Sequence, residues 1–201
     1  YNTDKLELLN SGNFWLSETP DTPSRGWDAA MNRICTWGQF ELKETGYKFF
    51  AFNLHMDHIG VEARIHSSEL LLSKMKEIAP EQPVFVTGDF NVDQYSKSYE
   101  IITNQENSTL FDSYLLSPIK HAANGTFNGW DITNPTAQRI DHVFVTSHFL
   151  PLRYGVLTDV YWTDTTGEPI HMGDFPKETD FVKGRVRLVS DHYPVVVELS
   201  Y

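Results

Sequence analysis

Residues 83–88, PVFVTG, run almost wholly apolar for the length of one strand and then stop at a glycine. A strand with no polar alternation has no face to leave in water, so it is buried on both sides. Any fold that contains it must place further layers above and below a sheet. The segment before it supplies one such layer. In VEARIHSSELLLSKMKEIA (61–79), Val61, Ile65, Leu71, Leu72, Met75 and Ile78 recur at helical spacing, and Pro80 follows. That periodicity predicts a helix ended by the proline. A second, shorter helix is predicted from Ser96 to Thr103.

The remaining segments read mostly as strands. KLELLNSGNFWL (5–16) predicts one or two, and residues 18–33, rich in Pro, Gly, Asp and Ser, predict a loop. ICTWGQFEL and YKFFAFNLH bracket KETG, a hairpin pattern. RIDHVFVTSHF and LPLRYGVLTDVYW predict two more strands, residues 163–186 a long polar connection, and YPVVVELSY a closing strand. No internal repeat or low-complexity segment interrupts the series. Several antiparallel strands with a few helices predict a mixed α/β sandwich. At 201 residues, 40% hydrophobic and 21% charged, the chain can bury the core such a fold needs.

Charge and cysteine content limit the function classes. A formal charge of −11 argues against affinity built on blanketing nucleic-acid phosphates with Lys and Arg. It allows an enzyme of phosphate esters whose carboxylates hold a cation that meets the phosphate. Cys35 is the sole cysteine, which excludes an intrachain disulfide and a cysteine-based zinc site. No stretch is apolar and long enough to span a bilayer, and no signal-peptide pattern opens the chain. YNTDKLELLN begins without Met and already reads as strand, so the expectation is the interior of a longer protein.

Four short stretches at strand ends carry residues capable of chemistry. In GDFN (88–91), Asp89 and Asn91 share a face if the strand continues through them, where they could hold a hard cation or orient water and a phosphate oxygen. The same residues also suit a plain turn. In SDHYPV (190–195), Asp191 and His192 point to opposite sides on extended backbone, one toward a metal and one toward a substrate. Otherwise Asp191 caps a turn and His192 is a surface residue. In RIDHVFV (139–145), Asp141 enters an apolar strand and needs a partner, for which a histidine is suited, or else it is an edge residue facing water. NLHMDHIG (53–60) holds His55, Asp57 and His58. It approaches the H-x-H-x-D-H zinc pattern of metallo-β-lactamases, but Asn53 stands where the first histidine belongs, and an amide is a poor zinc ligand.

NLHMDH, VTGDFN, RIDHVFV and SDHYPV, in that order and each at a strand end, resemble the endonuclease/exonuclease/phosphatase superfamily, the deoxyribonuclease I-like group. FWLSETPD and DHIGVEAR look like a bacterial branch of it, and the resemblance covers nearly the whole chain. It implies a four-layer fold, two mixed β-sheets flanked by helices, as one domain over residues 1–201. It implies a metal-dependent phosphoester hydrolase, a phosphodiesterase of nuclease-like type, with Mg²⁺ or Mn²⁺ as cofactor. His192 and Asp141 would form a charged acid–base pair. Asp89 and Asn91 would position water and phosphate, Asp191 and Asp89 would ligate metal, and His55 would assist the leaving oxygen. Phe127 and Trp130 in GTFNGWD (125–131) would touch substrate, and Arg64 would contact phosphate or simply lie on a helix surface. The substrate would be a nucleic acid, a phospholipid head group or a sugar phosphate, with no protein partner implied. The superfamily's N-terminal asparagine and Gln-Glu metal ligand have no counterpart here, so the resemblance implies the larger, C-terminal part of the domain. The alternatives are a zinc hydrolase of metallo-β-lactamase type and a non-catalytic binding module on the same fold.

Overall fold

A computed structural model describes residues 1–133, 135–170 and 184–201. The elements in chain order are β1 (Leu6–Trp15), β2 (Ile34–Leu42), β3 (Lys48–His55), α1 (Val61–Ile78), β4 (Val84–Asp89), α2 (Lys97–Thr103), β5 (Phe111–Asp112), α3 (Ser113–Leu116), β6 (Ile119–His121), β7 (Asp141–Val145), β8 (Leu150–Val156), β9 (Tyr161–Thr163), β10 (Arg185–Arg187) and β11 (Val195–Ser200). One sheet has the order β1-β2-β3-β4-β7-β5, a second β11-β8-β6, and β9 and β10 pair separately. Both larger sheets are mixed: β3 and β4 run parallel, joined by the α1 crossover, while β6 runs parallel to β8. The two mixed sheets with few helices match the expected class.

The doubly buried strand is β4. Val84 and Val86 lie in one core with Phe52, Leu71, Met75, Ile102 and Phe144, beneath α1 and α2. Phe85 faces the other way and packs on the cluster of Phe49, Val145 and Phe149, which Leu199 of β11 joins from the second sheet. Apolar side chains in β4 thus fill both interlayer spaces, which is why the run does not alternate.

The helix α1 begins at Gly60, which offers no side-chain cap. Asp28, in the loop between β1 and β2, substitutes: its carboxylate accepts from Ala63 N at 2.7 Å and Glu62 N at 3.3 Å. A carboxylate there satisfies orphan N–H groups and complements the helix dipole. The α2 helix is capped by its own Ser96, whose hydroxyl accepts from Tyr99 N.

One open reading is decided, one expectation is corrected, and three short elements are added. The strand β4 stops at Asp89, and Asn91 adopts φ +50° in the turn that follows, so Asp89 and Asn91 do not share a strand face. Residues 150–162 are not one strand. Leu157 N bonds to Pro194 O, Pro194 has no N–H to continue the ladder, and the chain leaves β8 to start β9 at Tyr161. The short elements β5, α3 and β6, over 111–121, had no clear signal in the sequence. Most of the predicted connection over 163–186 lies outside the described residues.

Candidate active site

Sheet register places three of the candidate residues in one row. His55 of β3 pairs with Asp89 of β4, and Asp89 pairs with Asp141 of β7. Partners in neighbouring strands present their side chains on the same face, so the row brings one imidazole and two carboxylates together at the sheet's end. Gly88 makes the row possible. Its φ is +153°, and a Cβ there would meet Leu54 O at 1.9 Å. Only glycine fits that approach.

The fourth member arrives from the second sheet. His192 precedes β11 and forms an isolated bridge with Phe127. Its Nδ1 lies 2.8 Å from Asp141 Oδ2, and its Nε2 lies 3.8 Å from Asp89 Oδ2. On the other side, His55 Nε2 lies 3.1 Å from the same Asp89 oxygen. Two imidazoles therefore flank one carboxylate.

Their environments push them apart. Burial works against the charged form of His192, but the hydrogen bond and charge of Asp141, with Asp89 and Asp191 nearby, prevail and raise its pKa. For His55, burial and the nearby positive charges of Arg33 and His192 outweigh Asp89 and lower it. The surroundings thus favour the protonated form of His192 and the neutral form of His55, the kind of split by which a fold assigns acid and base. Burial raises the Asp141 carboxyl, and His192 and Thr126 offset part of that rise.

The other predicted residues fall into distinct places. Asn91 fixes the turn: its N–H bonds Asp89 Oδ1 at 2.8 Å, and its Nδ2 donates to Met56 O at 2.9 Å. Asp191 holds the adjacent loop through its carbonyl, which accepts from Asn128 N and Gly129 N. Its carboxylate lies outside the group of donor atoms, from Asp89, Asp141 and His192, that sit within 4.8 Å of one another. The Phe127 ring stands edge-on to His192, centroids 5.1 Å apart. Trp130 is 63% exposed, three residues further along. Arg64 is turned inward, donating from Nη1 to Asp57 O at 2.9 Å, and so ties α1 to the loop before it.

The zinc cluster is not assembled. Asn53 donates to Thr87 Oγ1 at 2.9 Å. Asp57 is buried and faces backbone N–H groups of Ala30, Met31, Ile59 and Gly60, together with Arg33 Nε at 3.5 Å. His58 Nδ1 accepts from Arg33 Nη2 at 3.1 Å. Each of these side chains is committed to structure.

The chemistry of the donor set suits a hard cation. While His192 is charged it has no lone pair to give a metal. Asp89 and Asp141 remain, each with acceptor capacity beyond the hydrogen bonds it makes. One or two carboxylates, with waters and substrate phosphate completing the shell, is how Mg²⁺ is usually held.

Several positioning residues had no signal in the sequence. Thr126, fully buried, accepts from Ile140 N at 2.9 Å and Asp141 N at 3.1 Å through its hydroxyl, and its carbonyl accepts from Tyr193 N. It joins the Asp141 and His192 segments. His142, beside Asp141, is buried, and burial pushes its imidazole down to about 4, so the neutral ring donates from Nε2 to Val92 O at 2.9 Å. Arg139 and Asp112 form a buried ion pair at 3.0 Å beneath the same strand. Asp57 was legible in part, since D-x-x-G is the pattern of a carboxylate bonding the backbone of its own turn.

Comparison with known proteins agrees with this geometry. Residues 9–192 match the model of the endonuclease/exonuclease/phosphatase family. The mannosyl-6-phosphatase of Bacteroides thetaiotaomicron is 46% identical, superposes with a TM-score of 0.88, and is matched over 100% of this chain and 69% of its own. An endonuclease/exonuclease/phosphatase protein of Bacteroides vulgatus is 34% identical with a TM-score of 0.79, over 100% of this chain and 68% of its own. An uncharacterized protein of Acanthamoeba polyphaga mimivirus is 31% identical over 98% of this chain and 67% of its own length. With the sheet row, the Asp141–His192 pair and these matches together, the chain belongs to the endonuclease/exonuclease/phosphatase family.

Proposed function

We propose that the protein is a divalent-metal-dependent phosphoester hydrolase whose substrate is a phosphorylated sugar. The observation that carries the chemistry is Asp89 lying between two imidazoles of opposite character, with Asp141 behind one of them. The substrate class rests on the 46% identity to a mannosyl-6-phosphatase. The net charge of −11 adds to it by disfavouring long nucleic acids.

Phosphoester hydrolysis is slow because an oxygen nucleophile must approach an anionic phosphorus. A bound Mg²⁺ or Mn²⁺ would neutralise that charge, with Asp89 and Asp141 as the carboxylates able to hold it. The chain's own groups do the rest. Asp141 holds the His192 ring through Nδ1, fixing its orientation and its charge. The Nε2–H of His192 is then the donor for a phosphoryl oxygen. Asp89 accepts a hydrogen bond from the attacking water. Asn91 holds Asp89 in place by its N–H. His55, whose Nε2 faces Asp89, carries its proton on that atom and is placed to donate toward the leaving oxygen.

The test is steady-state hydrolysis with Mg²⁺ across mannose 6-phosphate, p-nitrophenyl phosphate, DNA, RNA, sphingomyelin and inositol phosphates. His192→Ala and Asp89→Ala should each reduce kcat by about 10²–10⁴-fold, the range expected for a positioned acid or base. Activity within a few-fold of wild type in both variants would sink the reading. Calorimetric titration with Mg²⁺ gives an independent check, since Asp89→Ala should weaken the uptake that the wild-type protein shows.

A further inference from the structure

The loop that carries Phe127 continues into a cleft that the phosphate chemistry does not use. The cleft has a volume of about 440 Å³ and is lined by Trp130, Asp131, Ile132, Tyr161, Arg187 and Leu188. Two of its segments run directly into the candidate active site. Trp130 is three residues from Phe127, whose ring touches His192, and Leu188 is four residues before His192 itself. The same two segments are laced together close to the site: Asn128 N and Gly129 N donate to Asp191 O, and Asn128 Nδ2 donates to Ser190 O at 3.1 Å. The β9–β10 ribbon supplies Tyr161 and Arg187.

The lining has an unusual composition for a surface. Trp130 is 63% exposed and Tyr161 43%, and Ile132 beside them is also exposed. Large rings held open to water next to an active site mark a binding surface. One carboxylate and one guanidinium accompany them. Asp131 uses Oδ1 for Thr133 N and Oγ1, and among the described residues Oδ2 accepts nothing. Arg187 spends one long contact on Thr163 Oγ1, 3.4 Å from Nε, and has no ion-pair partner among the described residues.

We infer that this cleft is the leaving-group subsite, and that it binds the pyranose ring of a hexose phosphate, with Trp130 and Tyr161 against the C–H faces and Asp131 and Arg187 on the hydroxyls. The inference rests on the hydrolase reading above. The ligand chemistry follows from the mix of groups. An aliphatic alcohol would leave Asp131 and Arg187 without partners. A nucleoside base could stack on the rings, but a nucleotide chain would bring further phosphates to a surface whose one lining cation among the described residues is Arg187. A sugar alone presents an apolar face and a ring of donors and acceptors together.

The experiment compares kcat/KM for mannose 6-phosphate, adenosine monophosphate and p-nitrophenyl phosphate in the wild-type protein and in Tyr161→Ala and Arg187→Ala. The ratio of mannose 6-phosphate to p-nitrophenyl phosphate should fall by about tenfold in each variant, mainly through KM, as expected for losing one stacking or charged contact. Binding gives a second readout. In the His192→Ala background, titration calorimetry with mannose 6-phosphate should show Kd raised by about the same factor when Arg187→Ala is added. Trp130→Phe, which keeps a ring, should retain the ratio that Trp130→Ala loses. If both ratios stay within twofold of wild type, or if the adenosine monophosphate ratio falls instead, the cleft assignment is overturned while the hydrolase reading stands. If the wild-type protein hydrolyses no phosphoester with Mg²⁺, both fall.

Discussion

On one side of Asp89 the chain is held by buried charge, and on the other by neutral groups. The charged side joins residues 26–33 to 55–64. Asp57 takes four backbone N–H groups and Arg33, and Asp28 caps α1. The neutral side joins residues 125–131 to 188–193. There Thr126 and Asn128 do the equivalent work with a hydroxyl and an amide. The two differ in what they leave exposed. The charged side turns its polar atoms inward and is anchored to a long helix. The neutral side needs no buried charge, so its outer surface is available for aromatic rings, and Phe127 and Trp130 occupy it. His55 belongs to the charged side, and His192 with the neighbouring cleft belongs to the neutral side.

The sharpest way to break this picture is at the junction of the two sides. Asp141→Asn keeps the shape of the side chain and removes the charge behind His192. It should lower kcat by about 10²–10⁴-fold with KM little changed, measured on p-nitrophenyl phosphate. A loss confined to KM would mean that Asp141 acts in binding instead.

The next effect is on stability. Asp57→Ala leaves Arg33 and four N–H groups without their acceptor and should cost about 3–5 kcal/mol by chemical denaturation. Thr126→Val removes the acceptor for Ile140 N and Asp141 N and should cost less, about 1–3 kcal/mol. It should also lower activity, because those N–H groups belong to the strand end that holds Asp141. If Thr126→Val destabilises more than Asp57→Ala, the contrast between charged and neutral sides is wrong.

The smallest signal is a pH dependence set by Asp57 on the charged side. Burial pushes the Asp57 carboxyl up, but the N–H groups of Gly60, Ala30, Ile59 and Met31 outweigh it and hold the group well below its ordinary value of 3.8. A carboxyl depressed in the folded state stabilises above its unfolded pKa and loses that contribution as pH falls toward the folded one. The stability gap between wild type and Asp57→Asn should therefore be full above about pH 5 and narrow below about pH 4, the unfolded range for aspartate. Denaturant midpoints at pH 7, 5, 4 and 3 read this directly.

Much of the architecture was legible because local pattern and burial coincided. PVFVTG announced a strand covered on both faces, and β4 has its valines in one core and Phe85 against another. The α1 periodicity ended at Pro80, and the hairpin around KETG formed as read. The site motifs marked strand ends correctly, and His55, Asp89, Asp141 and His192 do meet. What the sequence could not express was long-range. Asp28 caps a helix 35 residues away, and Thr126 bridges segments on two sheets, so neither has a local pattern. The turn at Asn91 stayed open in the sequence because GDFN suits both strand and turn, and the contact with Met56 O goes with the turn. The breaks after β8 and before β9 depend on Pro194, nearly forty residues later.

The row His55–Asp89–Asp141 carries one further consequence. Side chains alternate along a strand, so a slip of β4 by a single residue would aim Asp89 into the opposite layer and bring Gly88 or Phe90 into its place. An insertion inside any of these three strands would shift the row in the same way. Turnover is then a gauge of correct strand alignment: a molecule that pairs wrongly is not a slow enzyme but a silent one, and partially refolded preparations should lose specific activity in proportion to the misaligned fraction.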